Sequence, residues 1–309
     1  MKSGLIIAIA GGIAAAGAGT GVGVYLAKQL KPDITINEGL NGEAYEADVN
    51  AAWKKYQSAK SSGDFVGTMT PDELINCSYK VYDDKETHHA MTVGYSIAST
   101  LGLDVNQRIL GTFVKVGDKF FEEQSSASKL VKLNNRFWED ASNTLCYWGK
   151  DANWDKYTPN TVTNAKYREL MGSNVSRSLR YIVSDKTVLY GKLNNTTLGL
   201  QTTRAVKSGD EIVVDVELDT VKTVCYYGQQ MKTMSDLLCP PNFAYVHLTV
   251  TMDAVDLFPK SMVVYEGYTA TLSSGISSPC DSRCKTVYAS DGTETIPELH
   301  AEFEYPEEL

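Results

Sequence analysis

The pattern of apolar and polar side chains changes along the chain from a helical period to a period of two. Between residues 43 and 60, apolar side chains recur every three or four positions, which predicts a helix with one apolar stripe. The segment Thr70-Pro71-Asp72-Glu73 has the residues of a capping box and predicts the start of a second helix. Farther along the chain, as in Ile212, Val214 and Val216, every second residue is apolar. This alternation predicts antiparallel strands with one buried face.

The predicted strands are separated by short polar turns and extend almost to the C-terminus. They cover residues 109–116, 119–124, 181–183, 188–190, 196–206, 212–218, 245–252, 262–272, 286–289 and 300–305. Helical spacing predicts two insertions among them, at residues 163–171 and 219–234. Helices followed by a long meander predict an α+β fold. We expect one strongly curved antiparallel sheet, an open half-barrel, with helices on its concave face.

The N-terminal segment predicts where the protein is located. Residues 4–27 contain no charged side chain, and a helix of that length spans roughly 36 Å, enough to cross a hydrocarbon core of about 30 Å. A single transmembrane helix that serves as a signal-anchor is therefore predicted. The alternative is a signal peptide cleaved after Ala16, because Ala14-Ala15-Ala16 resembles a cleavage site. We predict an anchor over residues 1–31, a linker over 32–42 and an extracytoplasmic domain over 43–309, which would be secreted after cleavage.

Net charge and cysteine content limit which partners, disulfides and metal sites the sequence predicts. The net charge of −9 argues against nucleic acid as a partner. Six cysteines in an extracytoplasmic domain predict some disulfides, and Cys280 and Cys284 are close enough in sequence to close a small loop. The pairing of the other four remains open (Cys77, Cys146, Cys225 and Cys239). A zinc site at Cys280 and Cys284 would need a second Cys/His pair at ligand spacing, and the sequence has none, so no metal is predicted.

No catalytic motif is present. The sequence lacks the G-x-S-x-G, H-E-x-x-H and P-loop patterns, and it contains only four histidines. The adjacent His88 and His89 are predicted to be two solvated side chains near a helix end. His300, Glu302 and Glu304 share one face of a predicted strand and could hold a cation, although a polar outer face explains them equally well. We predict that the protein is not an enzyme and has no cofactor.

Several short motifs in the C-terminal half are familiar. They are Tyr226-Tyr227, the segment Gln230-Met231-Lys232-Thr233-Met234, Pro241-Asn242-Phe243 and Glu266-Gly267-Tyr268. With them, the chain resembles uncharacterised membrane-anchored or secreted proteins of Gram-positive bacteria. The strand pattern is similar to that of lipoprotein carriers of the LolA and LppX type, an open half-barrel with helices on its concave side. The chain departs from such carriers in having no lipobox cysteine and several cysteines outside their pattern. Since the half-barrel of those carriers binds acyl chains, the resemblance implies an apolar ligand.

These observations lead to two hypotheses about function. The first is a non-enzymatic, membrane-anchored cell-surface protein that binds a lipid or another apolar or amphiphilic ligand. Four side chains could line its pocket (Tyr227, Met231, Met234 and Phe243). The same side chains would also serve as ordinary core beneath a sheet. The second hypothesis is therefore a surface adhesion or assembly module that contacts other proteins and has a fully plugged core.

Overall fold

The computed structural model describes residues 43–100, 103–117, 119–128, 132–139, 144–150, 160–163, 192–193, 196–197, 200–218, 220, 238–239, 241–272, 274–298 and 301–309. The predicted anchor and linker, over residues 1–31 and 32–42, lie outside this set. Within it, no helix is both long and apolar enough to span a bilayer. The division into anchor, linker and extracytoplasmic domain stays a prediction.

Three helices come first in the described chain: α1 (Glu43–Ser62), α2 (Phe65–Thr68) and α3 (Pro71–Asp83). The predicted capping box of α3 is confirmed. The Thr70 hydroxyl accepts a bond from the Glu73 amide at 3.5 Å, and the Glu73 carboxylate accepts one from the Thr70 amide at 3.0 Å. These two bonds satisfy backbone donors that a helix start leaves without partners. The apolar side of α3, including Leu74 and Tyr82, is buried.

Thirteen strands occur in the described residues. They are β1 (Thr87–Thr100), β2 (Leu103–Val116), β3 (Lys119–Ser128), β4 (Lys132–Glu139), β5 (Thr144–Lys150), β6 (Asn160–Thr163), β7 (Lys192–Leu193), β8 (Thr196–Thr197), β9 (Leu200–Ser208), β10 (Glu211–Leu218), β11 (Asn242–Asp253), β12 (Pro259–Thr271) and β13 (Ser277–Ala289). The alternation that predicted strands at residues 212–218, 245–252 and 262–272 is confirmed by β10, β11 and β12.

Eleven of these strands form one sheet, in the order β6-β5-β4-β3-β2-β1-β13-β12-β11-β10-β9, and β7 pairs only with β8. All described pairs are antiparallel. Each neighbour in the large sheet is also the neighbour in sequence, except that β1 pairs with β13. The edges are β6 and β9, and no described pairing joins them, so the sheet is open. The predicted α+β architecture with an open antiparallel sheet is confirmed.

The helices pack against one face of this sheet, which we call the inner face. The inner face contains the even-numbered residues of β10, β12 and β13. Three of these residues, Ile212, Met262 and Tyr288, show that the face is buried. The Tyr82 ring of α3 lies 5.3 Å from the Tyr288 ring, and Tyr82 and Met262 belong to the same core cluster. The opposite side is the outer face.

The C-terminal residues cross the outer face and are not a strand, so the strand predicted for residues 300–305 is wrong within the described positions 301–305. We call residues 290–298 and 301–309 the C-terminal strap. Side chains hold it in place: the Tyr305 hydroxyl lies 2.7 Å from the Thr112 hydroxyl and donates to the Glu123 carboxylate at 3.2 Å. The Phe303 ring contacts Phe121 at 5.4 Å between centroids. Apolar residues alternate in this segment because one side of the strap contacts the outer face of the sheet, not because the segment is a strand.

The sequence did not predict four of the sheet strands, β1, β4, β5 and β6. Of these, β1 lies near the middle of the sheet, between β2 and β13. The predicted strands over residues 181–190 and the predicted helix over residues 219–234 fall almost entirely outside the described residues, and so do the predicted helix positions 164–171.

Candidate ligand-binding face

The inner face of β10, β11 and β12 is apolar and buried over most of its length. Neighbouring rows across these strands contain Val216, Leu248 and Val264, and Val214, Val250 and Met262. Helix α3 covers the end of the face near Tyr288, where Tyr82 contacts Tyr288 and His88. The opposite end, which contains Phe243 and Tyr268, is the candidate ligand-binding face.

Phe243 is the one predicted pocket residue that the structure describes. It is buried on the inner face of β11, and its ring centroid lies 5.3 Å from that of Tyr268 on β12. The other predicted pocket residues, Tyr227, Met231 and Met234, lie outside the described residues. In sequence they belong to the connection between the end of β10 at Leu218 and the start of β11 at Asn242, and both of these strand ends are at this same end of the sheet. Their place in the pocket stays a prediction.

A row of polar side chains crosses this apolar surface. The strand register aligns Gln107, Ser96, Ser282 and Glu266 across β2, β1, β13 and β12. All four are buried, and Glu266 is fully inaccessible to solvent. The sequence reasoning missed this row. One signal was present: Glu266 occupies an inward position between Val264 and Tyr268, where the alternation of β12 calls for an apolar residue.

The two serines at the centre of the row are unlike a similar pair farther along the same strands. Thr92 and Thr286 are partners in the ladder and their hydroxyls are hydrogen-bonded at 2.8 Å. Ser96 and Ser282 are also partners in the ladder, with 2% and 6% of their surface exposed. Among the described residues, neither serine hydroxyl has a hydrogen-bond partner. Buried hydroxyls nearly always have partners, so these two are among the few exceptions in the described residues.

The disulfide predicted between Cys280 and Cys284 is wrong. Both lie on β13, on the same face, and four residues of extended chain span about 13 Å. A disulfide requires Cα atoms within about 7 Å. Cys77, Cys239, Cys280 and Cys284 are all free and buried, while the side chains of Cys146 and Cys225 lie outside the described set.

The thiols on the inner face are protonated and unreactive. Burial raises the pKa of Cys280 to about 11 despite the Tyr268 hydroxyl, and it raises the pKa of Cys284 still further. Since the thiolate is the nucleophile, these cysteines contribute small apolar surface to the face.

The structure corrects the prediction for the histidine pair. His88 and His89 are adjacent on β1, so they point to opposite faces, and His88 is completely buried beneath Tyr82. Burial, together with the nearby Lys115 ammonium, lowers the pKa of His88 to about 4. His89 lies on the outer face, with its Nδ1 3.2 Å from the Glu294 carboxylate of the strap. The two rings therefore share no ligand.

The described residues contain no group of three or more histidine, cysteine or acidic side chains arranged to hold a metal ion. His300, which the sequence placed with Glu302 and Glu304, lies outside them. The candidate face has apolar surface, an aromatic pair and the polar row, which contains two hydroxyls, the Gln107 amide and the Glu266 carboxylate.

No protein-family model matches the sequence, and no curated protein matches it either. The chain matches several solved structures. LprF from Mycobacterium bovis is 10% identical, with a TM-score of 0.34 and coverage of 74% of this chain and 96% of that one. A DUF1329 family protein from Desulfovibrio piger is 9% identical, with a TM-score of 0.26 and coverage of 73% and 93%. A domain described as an outer membrane lipoprotein-sorting protein, from Vibrio parahaemolyticus, is 8% identical, with a TM-score of 0.27 and coverage of 73% and 95%.

The matched structures include folds of the kind that the sequence pattern resembles. The resemblance to lipoprotein carriers of the LolA and LppX type is therefore confirmed, as a resemblance only. At identities of 10% or less and TM-scores below 0.5, the likeness carries nothing about what this chain binds.

Proposed function

We propose that the chain is a non-enzymatic protein of the cell envelope, held at the membrane by residues 1–31, that binds an amphiphilic ligand on the inner face of its sheet, in the concavity of a half-barrel. The observation that carries the proposal is the pair of buried serines, Ser96 and Ser282, in the polar row that crosses the apolar face; among the described residues their hydroxyls have no hydrogen-bond partner. An amphiphile matches both features: its chain lies along the apolar rows, and its polar group bonds to the serines.

The energetics favour a ligand with a polar group over a purely apolar one. Leaving a buried hydroxyl without a partner costs about 1–3 kcal/mol, and a hydrogen bond that satisfies it contributes about 1 kcal/mol net. A hydrocarbon would leave both serines without partners. A ligand that bonds to both would therefore bind at least about tenfold more tightly than the same ligand bound to a face with alanines there.

Photolabelling of the whole chain tests the proposal. The chain is placed in lipid nanodiscs, incubated with palmitic acid that contains a diazirine group, irradiated and digested, and the labelled peptides are identified by mass spectrometry. We expect label on the peptides of β11 and β12, competed by unlabelled palmitate. Label confined to residues 1–31, or absent from the sheet, would refute the proposal.

Two double variants separate binding from folding. S96A/S282A removes the hydroxyls without partners, so the protein without ligand should keep or gain stability while sheet labelling falls several-fold. T92V/T286V replaces a hydrogen-bonded pair on the same strands and should leave labelling unchanged. Equal labelling of the wild type and S96A/S282A would rule out a role of the serines in binding.

One observation favours adhesion as a second candidate function. On the outer face, Tyr95, Ile97 and Tyr265 are 45%, 49% and 41% exposed, and the Arg283 guanidinium lies 5.2 Å from the Tyr265 ring centroid. Exposed tyrosine and arginine side chains are enriched at protein interfaces. If this patch mediates contact between cells, Y265D should abolish aggregation of cells that display the chain, while S96A/S282A should not.

A further inference from the structure

A second concavity lies away from the inner face, on the surface where the helices meet the turn between β11 and β12. It is an open groove of about 600 Å³, lined by Trp53, Tyr56, Lys60, Val81, Lys85 and Asp256 among others. A smaller cavity of about 380 Å³ adjoins it and shares Lys85 and Asp256. Lys85 therefore stands between two concave regions of the surface.

The aromatic part of the groove is firmly held. The Trp53 and Tyr56 rings of α1 stack with centroids 4.5 Å apart and planes inclined by 19°, and Tyr56 stacks in turn on Phe65 of α2 at 5.6 Å. The Tyr56 hydroxyl donates to the backbone carbonyl of Asp256 at 3.1 Å. This bond ties the helix to the turn across the groove, so the groove is preformed.

Three lysine ammonium groups lie near aromatic rings in this region. One of them, Lys80, is 5.0 Å from the Trp53 centroid and is paired with Asp84. Lys60 Nζ is 5.5 Å from the centroid of Tyr56 and 3.3 Å from the Tyr56 hydroxyl, and Lys85 Nζ is 5.7 Å from the centroid of Phe258. The hydrogen bond to the Tyr56 hydroxyl holds Lys60 in place, and the cation–π contact with Phe258 holds Lys85 in place. Neither contact neutralises the charge of the ammonium group. The groove thus presents two positioned positive charges.

In the part of the chain that the structure describes, neither Lys60 nor Lys85 is within ion-pair distance of an acidic group. Nearby lysines differ: Lys55 is 2.6 Å from Glu73, Lys80 is 2.9 Å from Asp84, and Lys260 is 3.3 Å from Glu211.

The carboxylates that line the groove are already engaged. Asp84 is paired with Lys80, and the Asp256 carboxylate accepts a hydrogen bond from the Phe258 amide at 2.9 Å. The hydrogen bond does not neutralise Asp256. With Asp84 offset by Lys80, the groove therefore keeps the two ammonium charges of Lys60 and Lys85 against the one carboxylate charge of Asp256, in a chain with a net charge of −9. Such a site concentrates anions of small size.

We propose that this groove binds a small organic anion, a carboxylate or a phosphate ester, whose charged group lies between Lys60 and Lys85 and whose apolar part contacts Trp53 and Val81. The site is independent of the proposed amphiphile site, because the two share no residue. Two ammonium groups supply charge-assisted hydrogen bonds to the anion, and the groove lets its apolar part leave water.

Isothermal titration of the whole chain, in an uncharged detergent at low salt, tests this proposal. The probes are phenyl phosphate, benzoate, inorganic phosphate and benzyl alcohol. We expect at least one of phenyl phosphate and benzoate to bind, more tightly than inorganic phosphate and benzyl alcohol. The stronger of the two identifies the anion, and its binding should weaken as sodium chloride is added. If neither binds at millimolar concentration, the proposal is overturned.

Matched variants assign the binding to the groove. K60Q/K85Q should reduce the affinity for the bound probe by about tenfold or more, since it removes both charges. K54Q/K207Q makes the same change in net charge at two exposed lysines outside the groove lining and should stay within twofold of wild type. Circular dichroism verifies that both variants fold. Equal loss of affinity in the two double variants would show that net charge, and not the groove, binds the anion, and would overturn the proposal.

Discussion

Replacing Gly94 by alanine should destabilise the sheet at the junction of β1 and β13. A Cβ atom at Gly94 would lie 2.4 Å from Cys284 Sγ, 2.7 Å from the Arg283 carbonyl oxygen and 2.9 Å from Cys284 Cα. Two of these atoms are backbone and cannot rotate away, so the strands must separate. Gly111, on the adjacent β2, is a control: its nearest atoms would lie 3.5 Å from a new Cβ, which is ordinary contact.

The magnitude follows from two opposing effects. Overpacking a well-packed interior costs about 1–3 kcal/mol. Replacing glycine by alanine also restricts the unfolded chain and stabilises the protein by about 0.4–1 kcal/mol. For G94A we expect a net loss of roughly 1–2 kcal/mol. For G111A only the second effect remains, so this variant should match or exceed wild type.

Urea unfolding of the whole chain in an uncharged detergent, followed by far-ultraviolet circular dichroism, measures both variants. The midpoint of G94A should fall while the slope of the transition stays unchanged. The difference between G94A and G111A isolates the steric clash, because the effect on the unfolded chain is common to both. A G94A protein as stable as G111A would refute the close approach of β1 and β13.

Three further predictions concern polar groups that are buried or that hold the C-terminal strap by hydrogen bonds. Burial lowers the pKa of His88 to about 4, so the unfolded chain binds more protons below the ordinary histidine value. Stability should therefore fall as the pH drops from about 6.5 to 5, by up to about 1.4 kcal/mol per pH unit, and H88Q should flatten this slope in pH-dependent urea unfolding. Burial raises the pKa of Glu294, but hydrogen bonds from Thr87, from backbone amides and from His89 outweigh it and lower the pKa to about 2. The stability that Glu294 contributes should be present above about pH 4.5 and lost as the pH falls towards 2. E294Q should show a smaller loss over that range, because Glu73 and Asp291, whose pKa values are also lowered, remain. Y305F should destabilise the protein by about 1–2 kcal/mol, because the hydroxyl joins the strap to a buried carboxylate. Y245F, which removes a hydroxyl bonded to an exposed aspartate, should cost less stability than Y305F when both variants are measured by urea unfolding.

Parts of the fold could be predicted because local chemistry and tertiary structure agree there. The capping box at Thr70 needs only four neighbouring residues, and β10 alternates between apolar residues that face the core and polar residues that do not. In such segments the sequence pattern and the burial pattern are the same. Helix α3 and strands β10–β12 were therefore predictable from periodicity alone.

Strand β1 was not predictable in this way because its pattern is reversed. Its larger apolar side chains, including Tyr95 and Ile97, point to the outer face, while the inner face has small residues such as Gly94 and Ser96. The inner positions are small because β13 places Cys284 against Gly94. That constraint comes from a strand far away in sequence, so no local pattern contains it.

The candidate site was also hard to predict, because its residues are brought together by strands that are far apart in sequence. Phe243 was predicted as a pocket residue together with Tyr227, Met231 and Met234, because apolar and aromatic side chains line ligand pockets. The paired serines look like ordinary strand residues until the register places them side by side. The error at Cys280 and Cys284 has a related cause. The strand predicted from the sequence began only at residue 286, so the two cysteines lay outside it and their spacing indicated a small loop. Once β13 extends from Ser277, the same spacing separates the thiols.

The polar row depends on the pairing of β1 with β13, the first and last strands along the described chain. Thr92 and Thr286, which flank the row on β1 and β13, are 194 residues apart, so closing this junction carries a high entropic cost. The C-terminal strap then crosses from β13 over the outer face of β1, β2 and β3 and adds bonds on the other side of the same junction. A ligand bonded to both Ser96 and Ser282 would join the two strands on the inner side, and by mass action it would stabilise the folded chain. The Ser96 and Ser282 hydroxyls, which have no partner in the part of the chain that the structure describes, therefore lie where a bound ligand and the strap would hold β1 and β13 together.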